Sequence, residues 1–238
     1  MSPTPITELL HPSVSATGQH LRFILASGSQ RRRDIMGLAG LTFIVQNGPG
    51  GEAEIGPNDE PDARQLTVRN AEIKLKAAIA ANRDRVPWNV VIIAADTTVA
   101  IDGHSLDKPT DTSEAKAMLH ELRGRQHDVI TSVAMSYAPL RQRGEILSHS
   151  VVSQVTMRDY GDDEIDRYIA TEVPYDRAGA YGVQDSDFNP ARSVHGCYLN
   201  VVGLPLCAVR GLLPPEACTF AHAHVYTTCA AHEGGDTS

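Results

Sequence analysis

The residues Val90-Val91-Ile92-Ile93-Ala94-Ala95-Asp96-Thr97-Thr98-Val99 decide the fold of this chain. An unbroken apolar run rich in β-branched residues is typical of a strand buried inside a sheet. The run leads into one carboxylate and two hydroxyl groups. Because an unpaired buried carboxylate is costly, Asp96 needs a cation, a metal or strong hydrogen-bond donors beside it, unless it only caps a turn. Lys108, in the segment Asp107-Lys108-Pro109, is a candidate cation.

The composition limits the class of protein. The chain has 238 residues, of which 42% are hydrophobic, so it can bury a substantial core. Its net charge of −8 disfavours a nucleic-acid polymer as partner but allows a small anion in a local basic pocket. The 4 cysteines form no CxxC pair, which favours a reducing compartment. Since neither a signal peptide nor a membrane-spanning run is recognisable, we expect a cytoplasmic protein that does not bind membranes.

The order of the predicted elements indicates a single α/β domain over residues 21–213, between a flexible extension (1–20) and a tail (214–238). Hydrophobic patterns predict strands over 21–26, 41–46, 90–99, 127–137, 146–158 and 193–201. They predict helices that end near Leu38, Asn82, Leu122, Ala170 and Leu213. Since strands and helices do not alternate strictly, the fold class is a mixed twisted sheet with flanking helices.

One candidate binding site is the turn Ser27-Gly28-Ser29 and the helix start Gln30-Arg31-Arg32-Arg33. Free backbone N–H groups, two hydroxyls and guanidinium groups at a helix start suit an oxyanion. The alternative is a serine N-cap followed by a solvated basic face. The segment is not a P-loop, because the GxxxxGK[ST] spacing is absent.

A second candidate set combines carboxylates with lysines: Glu52, Asp96, Lys108 and either Lys74 or Lys76. Two carboxylates suit Mg²⁺ or Mn²⁺, which bridge phosphate oxygens, and lysines would neutralise a triphosphate. The acidic residues of the loop over 47–61, including Glu52 and Glu54, also fit a solvated charge run.

Five runs of sequence resemble, in order and spacing, the Maf-like (septum-formation-inhibitor-like) nucleotide pyrophosphatases. These runs are LASGSQRRRDIM, IIAADTTVAIDGHSLDKP, LRGRQHDVITSVAM, PYDRAGAYGVQ and NVVGLPL. The resemblance implies an α/β fold similar to the inosine triphosphate pyrophosphatases, with two lobes around a deep cleft. It implies a metal-dependent enzyme that hydrolyses nucleoside triphosphates to the monophosphate and pyrophosphate, cleansing the nucleotide pool. The Ala95-Asp96-Thr97 segment resembles the branch that prefers dTTP, UTP and modified pyrimidine nucleotides.

The resemblance also implies individual roles. Ser27, Ser29, Arg31 and Arg32 would bind phosphates, and Arg31, Thr97 and Gln184 would influence the choice of substrate. Asp96 would be the general base and, with Glu52, a ligand of Mg²⁺, Mn²⁺ or Co²⁺. Lys74 and Lys108 would be catalytic, although the dipeptide Lys76-Ala77 fits the family pattern better than Lys74-Leu75. Gln30 and Arg177 depart from the family's usual Pro and Lys. Family members often form homodimers.

Alternative interpretations concern the same residues or the tail. A non-hydrolysing nucleotide-binding regulator of cell division would use the same pocket. Zinc could bind the tail residues Cys218, His222, His224, Cys229 and His232, although their spacing matches no standard finger. His127 and Asp128 resemble a catalytic dyad, but a hydrogen-bonded strand histidine is the simpler interpretation.

Overall fold

A computed structural model describes residues 13–14, 20–46, 54–82, 90–137 and 145–213. The strands are β1 (Ser13–Val14), β2 (His20–Leu25), β3 (Phe43–Val45), β4 (Val90–Ile101), β5 (His104–Leu106), β6 (Gln126–Tyr137), β7 (Ile146–Met157) and β8 (Ala191–His195). The α-helices are α1 (Gln30–Leu38), α2 (Ala63–Asn82), α3 (Thr112–Leu122), α4 (Asp162–Ile169), α5 (Tyr198–Val202) and α6 (Leu206–Leu212). Two short 3₁₀ helices cover Val173–Asp176 and Ala178–Ala180. The tail over 214–238, the proposed zinc ligands in it and most of the extension over 1–20 lie outside the described residues.

The described strands form one mixed sheet in the order β1-β2-β4-β6-β7-β8, with β3 on β2 and β5 on β4. β2 is parallel to β3 and β4, whereas β4, β6, β7 and β8 pair antiparallel. This mixed sheet with flanking helices confirms the predicted fold class. The central strand is also confirmed, and it extends beyond the predicted run to Ile101.

The buried residues form three hydrophobic clusters, two on opposite faces of the first half of β4 and one beside its second half. Ile92 and Ala94 pack toward α2, whereas Val91, Ile93 and Ala95 pack against α1, α5 and α6. Farther along β4, the side chains pack against α3, α4 and the segment after the 3₁₀ helices. The alternation of side chains along a strand explains the division. It also directs Asp96 to the α2 side and Thr97 to the α1 side.

The strand predicted over 193–201 is wrong in its second half. β8 ends at His195, Gly196 adopts a φ of 108°, and residues 198–202 form α5. The buried Asn200 side chain donates to the Val129 carbonyl and accepts a hydrogen bond from the Thr131 amide, so it binds the backbone of β6 from a helix. These long-range hydrogen bonds override the strand propensity of Val201 and Val202.

Candidate active site

The cavity lies beside a stretch of β4 that lacks a strand neighbour on one edge. β2 pairs with β4 as far as Ile93, and β5 begins to pair with it at Val99. Within the described residues, no strand covers this edge between those two points. Side chains from both faces of β4 therefore reach a cavity of about 760 Å³, which Asp96 and Thr97 line.

The turn before α1 forms one wall of the cavity. Ser29 is the N-cap of α1, and its hydroxyl accepts the Arg32 amide at 3.5 Å. The Ser27 hydroxyl accepts the Ser29 amide at 3.2 Å. Gly40 follows the helix with a φ of 69°, which suits glycine at a helix C-terminus. The cap and the terminal glycine fix where the helix starts and stops, and so place Arg31 and Arg32 at the cavity.

Arg32 is held by neutral oxygen atoms. Its Nε donates to the Gly203 carbonyl at 2.8 Å, and its Nη2 donates to the Thr97 hydroxyl at 3.1 Å. Its Nη1 donates to the Ser27 hydroxyl at 3.3 Å. Burial lowers the pKa of Arg32, and no described carboxylate lies within 4.0 Å of its guanidinium group. A fixed cation with neutral partners indicates a site for an anionic ligand.

Lys74 joins two carboxylates on the opposite side of β4. Its Nζ lies 2.6 Å from Asp96 Oδ1 and 2.9 Å from Glu54 Oε2, and the lysine side chain is 19% exposed. Asn70, one turn earlier on α2, accepts the Ile55 amide and donates to the Ile55 carbonyl. One face of α2 therefore holds both the side chain of Glu54 and the backbone of the next residue. We call Arg32, Lys74, Asp96 and Glu54 the inner cluster.

Three charged residues lie nearer the solvent, and we call them the outer cluster. Lys108 Nζ lies 2.6 Å from Asp176 Oδ1, and Arg31 Nη1 lies 3.5 Å from Asp176 Oδ2. The side chains of Lys108 and Asp176 are 61% and 66% exposed. Burial would raise the pKa of Asp176, but the hydrogen bond from Lys108 and the charges of Arg31 and Arg177 lower it.

The far wall of the cavity is built from the segment after the 3₁₀ helices. Arg177 lies 2.9 Å from Asp185, and the Tyr168 hydroxyl donates to the same carboxylate. A Cβ atom at Gly182 would clash with the Asp185 carboxylate, so a larger residue there would push that carboxylate away from Tyr168 and Arg177. These contacts place Gln184 at the cavity.

His127 supports the far wall from inside the core. Its Nε2 is hydrogen-bonded to the Tyr181 hydroxyl at 2.7 Å, and Tyr181 lines the cavity. Burial lowers the pKa of His127 to about 4, so the imidazole is neutral at pH 7. Its Nδ1 is buried without a hydrogen-bond partner among the described residues. These contacts favour a packing role for His127 over a catalytic dyad with Asp128.

Comparison with known proteins assigns the family. A family model described as "Maf-like protein" matches residues 22–215 of this chain. This chain belongs to the Maf-like protein family. Its members include three relatives called dTTP/UTP pyrophosphatase, from Dehalococcoides mccartyi (strain CBDB1), Dictyoglomus thermophilum and Escherichia coli (strain K12).

These Maf-like relatives are similar over most of both chains. The Dehalococcoides protein is 42% identical over 83% of this chain and 83% of its own length. The Dictyoglomus protein is 40% identical over 80% and 93%, and the Escherichia coli protein is 38% identical over 79% and 90%. Among solved structures, the Staphylococcus aureus Ham1 protein aligns with 59% of this chain and 74% of its own at 17% identity and a TM-score of 0.35.

In this Maf-like chain, most of the predicted site residues meet at one cavity. The lining includes Ser27, Ser29, Arg31, Arg32, Lys74, Asp96, Thr97, Lys108 and Gln184. Of the two candidate lysines, Lys74 lines this cavity, whereas Lys76 pairs with Glu72 at 3.2 Å on the exposed side of α2. Glu52 lies outside the described residues, so its role stays a prediction.

Four residues of this Maf-like site have no site role predicted from the sequence. Glu54 was assigned only to a solvated charge run, and Asn70, Asp107 and Asp176 were given no role. All four line the cavity. Burial, together with the negative charges of Asp96 and Glu54, raises the pKa of Asp107. The spacing of Asn70 and Lys74 on one face of a helix is the signal that could have paired them.

The inner cluster fits a divalent ion in combination with a ligand. Within the described parts of the chain, no three His, Cys, Asp or Glu side chains group closely enough to hold an ion by themselves. Glu54 and Asp96 each use one oxygen for Lys74, and no hydrogen bond among the described residues uses the other oxygen. Mg²⁺ usually takes one or two carboxylates and completes its coordination with phosphate and water oxygens. Two such carboxylates beside an anion site meet that requirement.

Among the described helices, none has the length and apolar character needed to cross a membrane.

Proposed function

We propose that this protein is a nucleoside triphosphate pyrophosphatase that hydrolyses dTTP, UTP and modified pyrimidine nucleotides, and so cleanses the nucleotide pool. The observation that carries the proposal is the convergence of Arg32, Lys74, Asp96 and Glu54 on one cavity. Cations with spare donors suit the phosphates, and paired carboxylates suit a metal and a base. The names of the relatives support the substrate and the reaction.

Binding begins with the anion site at the start of α1. Arg32 lines the cavity and has two N–H groups beyond the three that bind Ser27, Thr97 and Gly203, which leaves donors for a phosphate. The N-terminus of α1 adds backbone N–H groups and the positive end of its dipole. Because the neutral partners fix the guanidinium group beforehand, the ligand does not have to order it.

Asp96 acts as the general base. It takes a proton from water as the water oxygen forms a bond to the α-phosphorus, and the bond from that phosphorus to the bridging oxygen of the β-phosphate breaks. The products are a nucleoside monophosphate and pyrophosphate. Lys74 orients Asp96 through its 2.6 Å contact, and Lys108 and Arg31 neutralise the departing pyrophosphate.

Asp96 would hold a divalent ion together with Glu54, which also lines the cavity, while Glu52 stays a predicted ligand outside the described residues. Bound Mg²⁺, Mn²⁺ or Co²⁺ supplies Lewis-acid stabilisation of the phosphate oxygens. Lys74, which pairs with both carboxylates, would reduce their repulsion with the phosphates of the substrate.

The proposal includes the setting of the enzyme. We propose that residues 21–213 form a single catalytic domain that acts in the cytoplasm, as a homodimer, without a membrane or a nucleic-acid polymer as partner. The net charge of −8 supports the exclusion of polymers, since the whole-protein field repels them.

The test is pyrophosphate release by the purified protein and its Asp96→Asn variant. Nucleoside triphosphates that include dTTP, UTP, 5-methyl-UTP and 7-methyl-GTP are assayed with each of the three metals. We expect turnover of dTTP and UTP, and a loss of about 100-fold or more in the variant, which is the usual contribution of a general base.

The matched control is Asp102→Asn, since Asp102 is exposed, pairs with Arg125 and does not line the cavity. It should keep full activity. Nucleotide binding without turnover under every metal would contradict the proposal and favour the non-hydrolysing regulator. An Asp96→Asn variant with full activity and native circular dichroism would remove the general-base assignment.

A further inference from the structure

The outer cluster contains an anion from the chain itself. The Asp176 carboxylate bridges two cations, with Oδ1 2.6 Å from Lys108 Nζ and Oδ2 3.5 Å from Arg31 Nη1. The two cations come from distant parts of the chain, the start of α1 and the segment after β5. Arg31 Nη2 also donates to the Asp176 carbonyl at 3.1 Å. Asp176 therefore occupies donors that a phosphate group entering the cavity would use.

The chain on both sides of Asp176 is anchored. The preceding Tyr175 hydroxyl is 2.8 Å from the Thr112 hydroxyl, and the following Arg177 pairs with Asp185 at 15% and 17% exposure. The Asp176 side chain itself is 66% exposed. The backbone position is thus fixed, whereas the carboxylate can leave its cations by rotating toward solvent.

We propose that Asp176 sets the affinity of the outer cluster for phosphates, as an internal anion that a ligand must displace from Arg31 and Lys108 before its own phosphates can bind there. The identity of that ligand rests on the proposed function. Exposed ion pairs are individually weak, so a polyphosphate with several charges replaces Asp176 readily. A ligand without phosphate gains no affinity by displacing Asp176.

The same competition acts on the product. When pyrophosphate leaves the outer cluster, Asp176 returns to both cations, so they are not left without a counter-ion. Asp176 therefore weakens the binding of substrate and of pyrophosphate by a similar factor. It favours release of the product at the expense of some affinity for the substrate.

The direct test is the binding of inorganic tripolyphosphate to the wild type and to Asp176→Asn, measured by calorimetry. We expect binding to become roughly three- to tenfold tighter, because two exposed ion pairs no longer compete. Uridine binding should not change in the variant. Asp102→Asn, which removes an equally exposed carboxylate outside the cavity, should leave tripolyphosphate binding unchanged.

A double-mutant cycle separates displacement from general charge. In a Lys108→Met background, the gain from Asp176→Asn should shrink, because one of the two contested cations is absent. A gain of full size in that background would overturn the proposal in favour of a general electrostatic effect. Unchanged or weaker tripolyphosphate binding in Asp176→Asn would overturn it too. Since tripolyphosphate binding requires no turnover, these outcomes are distinct from a failure of the wild type to hydrolyse UTP.

Discussion

Arg31 and Arg32 are adjacent in the chain, yet their guanidinium groups have opposite kinds of partner. Arg32 donates to two hydroxyls and a carbonyl that belong to fixed elements. Arg31 pairs with the exposed carboxylate of Asp176. The inner cluster is therefore arranged before a ligand arrives, whereas the outer cluster exchanges one anion for another. The difference shows that neighbouring residues of one type can serve binding in two ways.

Among substitutions that compare the two clusters, the largest expected effect comes from Arg32→Lys. A lysine keeps the charge but lacks the planar group that reaches Gly203, Thr97 and Ser27 together. We expect kcat/KM for UTP to fall by about 100-fold, the loss typical of removing an oriented donor from an active site. Steady-state kinetics measures the loss, and circular dichroism at 20 °C checks that the variant is folded.

Arg31→Lys is the matched control, because it makes the same exchange one residue earlier. Asp176, the ionic partner of Arg31, is exposed, and a lysine can partly replace that ion pair, so kcat/KM should change by less than about fivefold. Equal losses in the two variants would contradict the division into inner and outer clusters.

A smaller effect is expected for Asn70→Ala, which leaves the charges of the inner cluster in place. It removes the two hydrogen bonds between the Asn70 side chain and the backbone of Ile55, which fix the position of the preceding residue, Glu54. We expect kcat to fall about tenfold and KM to change little, because misplaced catalytic groups affect the reaction step more than binding. The Mg²⁺ concentration for half-maximal rate should rise as well. Lys76→Met, on the exposed side of the same helix, should leave kcat and the Mg²⁺ concentration for half-maximal rate unchanged.

The smallest effect on hydrolysis, and a distinct effect on stability, is expected for His127→Gln. The folded pKa of about 4 lies below the usual 6.5 for histidine, so the unfolded state binds the proton first. The contribution of His127 to the free energy of unfolding is complete above pH 6.5 and is lost as the pH falls toward 4. The loss should reach about 3 kcal/mol in the wild type.

Urea unfolding of the wild type and of His127→Gln at pH 7 and pH 4.5 measures how much stability each protein loses on acidification. The comparison isolates His127, since all other titratable groups are the same in the two proteins. The stability of the variant should depend less on pH over this range. At pH 7 its hydrolysis of UTP should stay near that of the wild type, because glutamine can still bond to Tyr181. A parallel pH dependence in the two proteins would show that the imidazole is not the group responsible.

The sequence predicted the elements whose signals are local. The β-branched run predicted β4, and Ser29 and Gly40 marked the two ends of α1. The resemblance to the family predicted nine site residues that line the cavity in the structure. In each of these cases the signal lies within a few neighbouring residues, or within a motif.

The remaining features depend on contacts that are distant in sequence. Glu54 reaches Lys74 because Asn70 fixes the next residue, and the loop sequence alone does not reveal that register. The contact between Arg31 and Asp176 joins residues 145 positions apart. The helix at Asn200 replaces a predicted strand because its amide side chain binds β6. Local propensity contains none of these contacts.

The central strand has a consequence for how the protein comes apart. Ten consecutive residues of β4, from Val91 to Ala100, are in register with β6, and Asp96 lies in the middle of them. Amide protons there are expected to exchange with deuterium only when the whole sheet opens. Fraying of α1 or of the 3₁₀ segments would release the phosphate-binding groups first. A partly opened molecule would thus keep the general base Asp96 in place after it has lost the groups that bind the phosphates.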